Sequence, residues 1–121
     1  MKKRISIQSA NITNNRLLLN ANESIKGLSP GEQILVDSDQ FSFIYLMEDK
    51  EDYTYIVLSE QNWPFLKSAL EQKLSIWLTF QDDKTELTGF LEDLEYVLSN
   101  IKDNSNYGED MLKKVDDIFN L

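Results

Sequence analysis

The 121-residue chain contains neither cysteine nor histidine. Without cysteine it has no disulfide, no thiolate metal ligand and no thiol nucleophile, a composition that fits a reducing compartment. Without histidine it has no imidazole general base, no Ser-His-Asp arrangement and none of the usual zinc sites. We therefore expect no catalytic residue, no cofactor and no metal site. Enzyme activity stays open, and we favour a protein that is not an enzyme.

Glycine is scarce and long apolar runs are absent from the sequence. The four glycines never cluster, which argues against a loop that cradles phosphate groups. The basic start, residues 1–4, is followed by Ile-Ser-Ile-Gln-Ser rather than by an apolar run. The pattern predicts neither an export signal nor a membrane anchor, so we expect a cytoplasmic protein.

Acidic residues outnumber basic ones, and the chain carries a net charge of −9. The last 41 residues hold eleven of the 21 acidic side chains. Nucleic acid and anionic membranes attract lysine and arginine, so we expect neither as a partner. The charge favours another protein with a basic surface. A homo-oligomer also stays open, because an unpaired sheet edge can bind a second copy.

The segment 41–58 organises the predicted fold. Two runs of aromatic and β-branched residues, 41–47 and 53–58, flank the acidic break 48–52, a pattern typical of a β-hairpin. Both alternating faces of each run are apolar. Strands of this kind lie in the middle of a sheet, so the other segments have to cover both faces of this hairpin.

Shorter runs supply the remaining strands. Residues 4–9 and 16–19 flank Asn14-Asn15, which predicts a second hairpin that is more polar and lies nearer a sheet edge. Residues 34–36 add a strand that enters the central hairpin, giving a three-stranded meander. Residues 75–80 alternate again and predict one more strand.

Residues 59–73 change to helical spacing. Pro64 fits a helix only in its first turn, so we expect Asn62 to be the cap, with Trp63 and Pro64 as the first residues inside. A right-handed crossover from the preceding strand through this helix to residues 75–80 would make the sheet mixed.

The C-terminal third predicts two more helices. Residues 87–101 place their apolar side chains on one stripe. The start of this helix stays open between a capping box at Asp83 and a later start at Gly89. The last helix begins near Tyr107, with Asn106 as its cap.

These elements together predict the architecture. We expect one α+β domain over residues 1–121, with a mostly antiparallel five- or six-stranded sheet packed with three helices, two of them C-terminal. No internal repeat, low-complexity tract or linker divides the chain.

Asp37, Asp39 and Trp77 are candidates for an interaction site. The two aspartates flank Ser38 at a strand end, a spacing that could hold a hard cation or orient a partner. Aspartate and serine are also ordinary turn residues, and we favour the turn. Trp77 lies on the otherwise polar face of its strand. It is therefore a better candidate than Trp63 for an exposed or interface aromatic.

Tyr107 is the fourth candidate, in the connector 103–108. The connector begins like a calcium loop, with Asp103 at position one and Gly108 at position six, but Lys114 stands where a bidentate glutamate is needed. We predict a helix connector and no calcium site.

The acidic groups at 48–52 and 82–86 are interpreted as solvated turns, because paired catalytic carboxylates have to face each other in a cleft.

Several motifs carry a family resemblance. They are residues 35–39 leading into 41–45, Trp63 before the first helix, and a C-terminal pattern: Glu86-Leu87-Thr88-Gly89-Phe90, Leu94, Tyr96, Leu98, Asn100-Ile101, Asn104 and Asn106-Tyr107-Gly108-Glu109. On these residues the chain resembles the YjbL-like family of small proteins from Bacillus and related Gram-positive bacteria. The resemblance implies a single cytosolic bacterial domain of unknown function. Relatives often carry histidine where this chain has Leu91, and glycine where it has Asp103.

Two functional hypotheses follow. The first is a non-enzymatic protein-interaction or regulatory domain, because the usual catalytic residue types are missing and the C-terminal third is acidic. The alternative is an enzyme or small-ligand-binding protein that uses carboxylates, tyrosine and lysine. A deep pocket would favour the alternative if it held two or more of these residues: Asp37, Asp39, Lys50, Asp83 and Tyr107.

Overall fold

The computed structural model describes residues 3–50, 52–102 and 104–120. Four residues named in the predictions lie outside these ranges: Met1 and Lys2 of the basic start, Glu51 of the acidic tip and Asp103 of the connector. Within the described ranges the chain forms seven strands and three α-helices: β1 Lys3–Thr13, β2 Arg16–Ala21, β3 Ser29–Asp37, β4 Ser42–Glu48, β5 Tyr53–Ser59, α1 Trp63–Gln72, β6 Ser75–Phe80, β7 Asp83–Glu86, α2 Phe90–Ile101 and α3 Glu109–Phe119.

All the strands join in one mixed sheet, in the order β3-β4-β5-β1-β2-β6-β7. The pairs β5–β1 and β2–β6 are parallel, whereas the other neighbours are antiparallel. The predicted mostly antiparallel sheet of five or six strands is therefore wrong, although the fold is α+β and the meander β3-β4-β5 is confirmed. Residues of β3 and β7 contact each other, so the sheet curls into a half-barrel.

The N-terminal hairpin, β1 and β2, lies in the middle of this sheet and not near an edge. Its turn forms as predicted, with Asn14 and Asn15 at φ 51° and 61°. One face of the hairpin is buried: Ile5, Ile7, Leu17 and Leu19. The polar alternate residues point to the opposite face of the sheet. The alternation of apolar and polar residues in this hairpin therefore indicates that one face of the sheet is uncovered there. It does not indicate whether the hairpin lies near an edge of the sheet.

The seventh strand, β7, was missed because its sequence Asp-Lys-Thr-Glu has no apolar alternation. It is a strand because it pairs with β6 from Phe80↔Asp83 to Trp77↔Glu86. The capping box considered at Asp83 is therefore not a helix start. Helix α2 begins after Gly89, whose φ of 71° suits a residue without a side chain.

The three described helices pack on one face of the sheet, which we call the inner face. Helix α1 has Asn62 as its N-cap and Pro64 in its first turn, as predicted. The indole of Trp63 lies 4.9 Å from the ring of Phe43 and 5.9 Å from that of Phe119, measured between centroids. The Trp63 indole N–H donates to the Leu58 carbonyl at 3.1 Å. These rings anchor α1 and α3 to β4.

The opposite, outer face is covered by no helix within the described residues. On β4 the outer side chains Ile44 and Leu46 are nevertheless buried, at 3% and 7% exposure, outside the core that the helices cover. On β5 the outer residues Tyr55 and Val57 are half exposed. The prediction that both faces of the central hairpin are covered is therefore wrong for β5.

Candidate interaction sites

Asp39 and Tyr107 line the same surface cleft, although they lie in distant parts of the sequence. The cleft has a volume of about 400 Å³. A 3-10 turn, Ser38–Gln40, forms one wall, and a second 3-10 turn, Ser105–Tyr107, forms the other together with the start of α3. Its lining combines the carboxylates of Asp39, Glu109 and Asp110 with the rings of Phe41 and Tyr107. We call it the acidic cleft.

Two side-chain caps shape the walls of the acidic cleft. The Asp37 carboxylate accepts a hydrogen bond from the Gln40 N–H at 3.2 Å, which fixes the first turn. The Asn104 amide oxygen accepts from the Asn106 N–H at 3.1 Å and fixes the second. Asp37 is therefore a turn residue and does not line the cleft. Helix α3 begins at Glu109, after Gly108, and not near Tyr107 as predicted.

Among the described residues, the carboxylates of the acidic cleft have no cation close enough for an ion pair. Within the described part of the chain, Asp39, Glu109 and Asp110 form no ion pair. The nearby ammonium group of Lys114 pairs with Glu60 at 3.1 Å and lies 4.9 Å from the centroid of the Phe41 ring. It is thus held at the back of the cleft and does not line it.

The cleft does not have the donor geometry of a metal centre. Across residues 3–50, 52–102 and 104–120, no group of three or more carboxylates is arranged to hold a metal ion. Carboxylates beside aromatic rings suit a different ligand, an organic cation that pairs with the acid and stacks on the ring.

Trp77 does not line the acidic cleft; it lies half exposed on the outer face of β6. The guanidinium carbon of Arg16 lies 4.9 Å from its ring centroid, and its indole N–H donates to the Ser75 hydroxyl at 3.0 Å. A matching pair lies at the other parallel pairing, where the Arg4 guanidinium is 5.5 Å from the Tyr55 ring. Both arginines come from the N-terminal hairpin, and each lies over an aromatic residue of the strand that pairs with the hairpin in parallel, β5 or β6.

A buried junction fastens the start of α2 to β3 and β4. The Tyr45 hydroxyl donates to the Thr88 carbonyl at 2.6 Å, and its ring stacks on Phe90 with 5.5 Å between centroids. The Ile34 N–H donates to the Asp93 carboxylate at 2.6 Å. Burial raises the pKa of Tyr45 to about 12, so this phenol is neutral in the physiological range. The contacts of Tyr45 therefore hold α2 to the sheet, which is a structural role and not that of a proton donor in a cleft.

Comparison with known proteins decides the family. The family of unknown function UPF0738 matches residues 5–119. The chain belongs to UPF0738. The resemblance to YjbL is confirmed, since the UPF0738 protein YjbL of Bacillus subtilis is 42% identical over 98% of this chain and 99% of its own length.

Other UPF0738 proteins cover the chain as fully. A Bacillus velezensis member is 43% identical over 98% of this chain and 99% of its own length. A Staphylococcus aureus member is 36% identical over 98% of both. No solved structure matches the chain. In this UPF0738 protein Leu91 is partly buried and packs against the core.

No helix in the described ranges is long and apolar enough to cross a membrane.

Proposed function

We propose that this UPF0738 protein is a protein-interaction domain without catalytic activity, and that its acidic cleft takes a basic side chain of a partner protein. The observation that carries the proposal is the meeting of Asp39 and Tyr107, from distant parts of the chain, at one cleft whose carboxylates form no ion pair within the described residues. We further propose that it acts in the cytoplasm, where a chain without cysteine is at no disadvantage.

Arginine is the basic side chain that fits best. Its planar guanidinium can pair with a carboxylate through two hydrogen bonds while its face stacks on an aromatic ring. Asp39 and Asp110 offer the carboxylates, and Tyr107 offers the ring, because the Phe41 ring already has the Lys114 ammonium 4.9 Å from its centroid. The N-terminus of α3 carries a partial positive charge of about half an elementary charge, which repels a cation. This repulsion is weak because three carboxylates surround it.

The test is a titration of the isotope-labelled chain with the peptide acetyl-Gly-Arg-Gly-amide, followed by amide chemical shifts. We expect shifts confined to residues 38–41 and 106–111, with a Kd on the order of 1 mM that weakens as salt is added. The same peptide with citrulline in place of arginine keeps the shape and loses the charge. It should bind at least several-fold more weakly.

A charge-matched pair of variants separates the cleft from the overall charge. The double variant D39N/D110N removes two carboxylates from the acidic cleft and should abolish the shifts. D116N/D117N removes two exposed carboxylates further along α3 and should keep them. Equal loss in both variants, or equal binding of arginine and citrulline, would contradict the proposal.

A small-ligand-binding protein is the second candidate, because the acidic cleft holds two of the residues whose meeting in a pocket would favour it, Asp39 and Tyr107. The ligand would then be a free amine or guanidine. Agmatine, a guanidine with no peptide backbone, distinguishes the two. Binding of agmatine at least tenfold tighter than the arginine peptide supports the small ligand, whereas the reverse order supports the protein partner.

A further inference from the structure

The outer face carries a continuous apolar area on β3, β4 and β5, which we call the outer patch. Its members face the same side because they are register partners or lie two residues apart along a strand: Leu35, Ile44, Leu46, Tyr55 and Val57. Leu35, Tyr55 and Val57 are half exposed, and no described helix covers them. This patch is separate from the acidic cleft.

A single ion pair crosses the outer patch. The Arg4 guanidinium on β1 lies 3.9 Å from the Asp37 carboxylate at the end of β3. Strands β4 and β5 lie between β1 and β3, so the Arg4 side chain extends over the patch. At 3.9 Å the pair is long, and about half of the Arg4 side chain (52%) is exposed. The ion pair itself therefore adds one cation, one anion and no net charge to the patch.

We infer that the outer patch binds the same patch on a second copy of this chain. Two copies with a net charge of −9 each repel one another over most of their surfaces. The ion pair of the outer patch is neutral and also self-complementary. A two-fold axis in the interface, perpendicular to the line from Arg4 to Asp37, places each arginine opposite the aspartate of the other copy. The dimer exchanges the long internal pair of each copy for two pairs between copies.

The size of the outer patch sets the expected affinity. Three strands spaced about 4.8 Å apart, with four to six residues each rising about 3.3 Å, give roughly 200–300 Å² per copy. Stable complexes bury about 800 Å² per partner. The dimer should therefore be weak, with a Kd on the order of 100 µM.

The first experiment is sedimentation equilibrium of the whole chain from about 10 µM to about 1 mM, a range that brackets the expected Kd. We expect the mean mass to rise from that of the monomer towards that of the dimer. The variant V57K places a charge in the centre of the patch and should remain monomeric throughout. The control Y96K changes a residue of α2 that is 65% exposed, and it should dimerise like the parent.

The second experiment exchanges charges between copies. R4E and D37R should each dimerise at least several-fold more weakly than the parent, because each puts like charges opposite one another. An equimolar mixture of the two should form a heterodimer, since the two substituted side chains then face each other with opposite charges. The unchanged Asp37 of the R4E copy likewise faces the unchanged Arg4 of the D37R copy. An internal role of the pair alone would not restore association in the mixture.

Two results would overturn the inference. One is a parent chain that stays monomeric up to about 1 mM, well above the expected Kd. The other is a dimer that V57K leaves intact. If D37R does not fold, because Asp37 also caps the Gln40 N–H, then V57K and R4E still decide the question.

Discussion

The inner and outer faces of β4 are almost equally buried, but by different means. On the inner face Phe43, Tyr45 and Met47 lie under the helices. On the outer face Ile44 and Leu46 are buried only by side chains of neighbouring strands and loops. A low solvent exposure therefore does not show that a residue belongs to a helix-covered core. It also arises where large half-exposed neighbours shield a central strand.

The outer face itself has two halves. Around β2 and β6 it carries a polar network beside Leu18 and Trp77, in which the Asn20 amide donates to Ser9 at 2.9 Å and accepts from the Thr79 hydroxyl at 2.5 Å. Around β4 and β5 it is apolar. The polar half satisfies its own hydrogen bonds, whereas the apolar half gains free energy only when another surface covers it. This difference directs attention to the apolar half as the interface.

The largest effect should come from truncating matched isoleucines on the two faces. Ile56 (inner) and Ile44 (outer) lie on adjacent strands and are 0% and 3% exposed. I56A should lower the free energy of unfolding by about 3–4 kcal/mol, because the cavity lies under helices that cannot collapse into it. I44A should cost about 2 kcal/mol, since mobile neighbours and water can fill the space. Urea unfolding measures both, and equal losses would remove the distinction between the faces.

A middle-sized effect should come from the junction that fastens α2 to the inner face. D93A leaves the buried Ile34 N–H without its acceptor and should cost about 2 kcal/mol. D93N keeps an acceptor and loses the charge, so it should cost about half as much. Hydrogen exchange of the Ile34 amide provides the local readout. Unchanged exchange in D93A would show that this bond does not hold β3 to the helix.

The smallest effect should come from Y45F, which removes one hydrogen bond and should cost about 1 kcal/mol at neutral pH. Its pH dependence is more informative. Because the pKa of Tyr45 is about 12 when folded and about 10 when unfolded, the stabilisation is complete below pH 10 and is lost as the pH rises towards 12. The parent should therefore lose stability over this range faster than Y45F. Parallel curves for the two proteins would contradict a buried phenol.

The sequence was sufficient for features that depend on local chemistry. The Asn14-Asn15 turn, the meander and the Asn62 cap of α1 followed from φ preference, alternation and the geometry of Pro64. Strand order did not follow. Polar alternation in residues 4–9 is the same for an edge strand and for a central strand with one uncovered face, and only the parallel partners β5 and β6 distinguish the two.

The candidate sites divide in the same way. Asp39 and Tyr107 were singled out separately, but no local pattern could place them in one cleft, because the closeness of their turns depends on how α3 packs. The pairing of Arg4 with Asp37 was missed for the same reason. An arginine on the polar face of a strand carries no signal until the strands between it and its partner are known.

The central position of β1 and β2 constrains how the chain can fold as it is synthesised. This hairpin leaves the ribosome before residues 53–80, which provide β5 and β6, so both of its edges must wait for their partner strands. Until then two unpaired strand edges are open to other chains. Lys3, Arg4 and Arg16 place like charges on both strands of the hairpin, which disfavours its pairing with a second nascent copy.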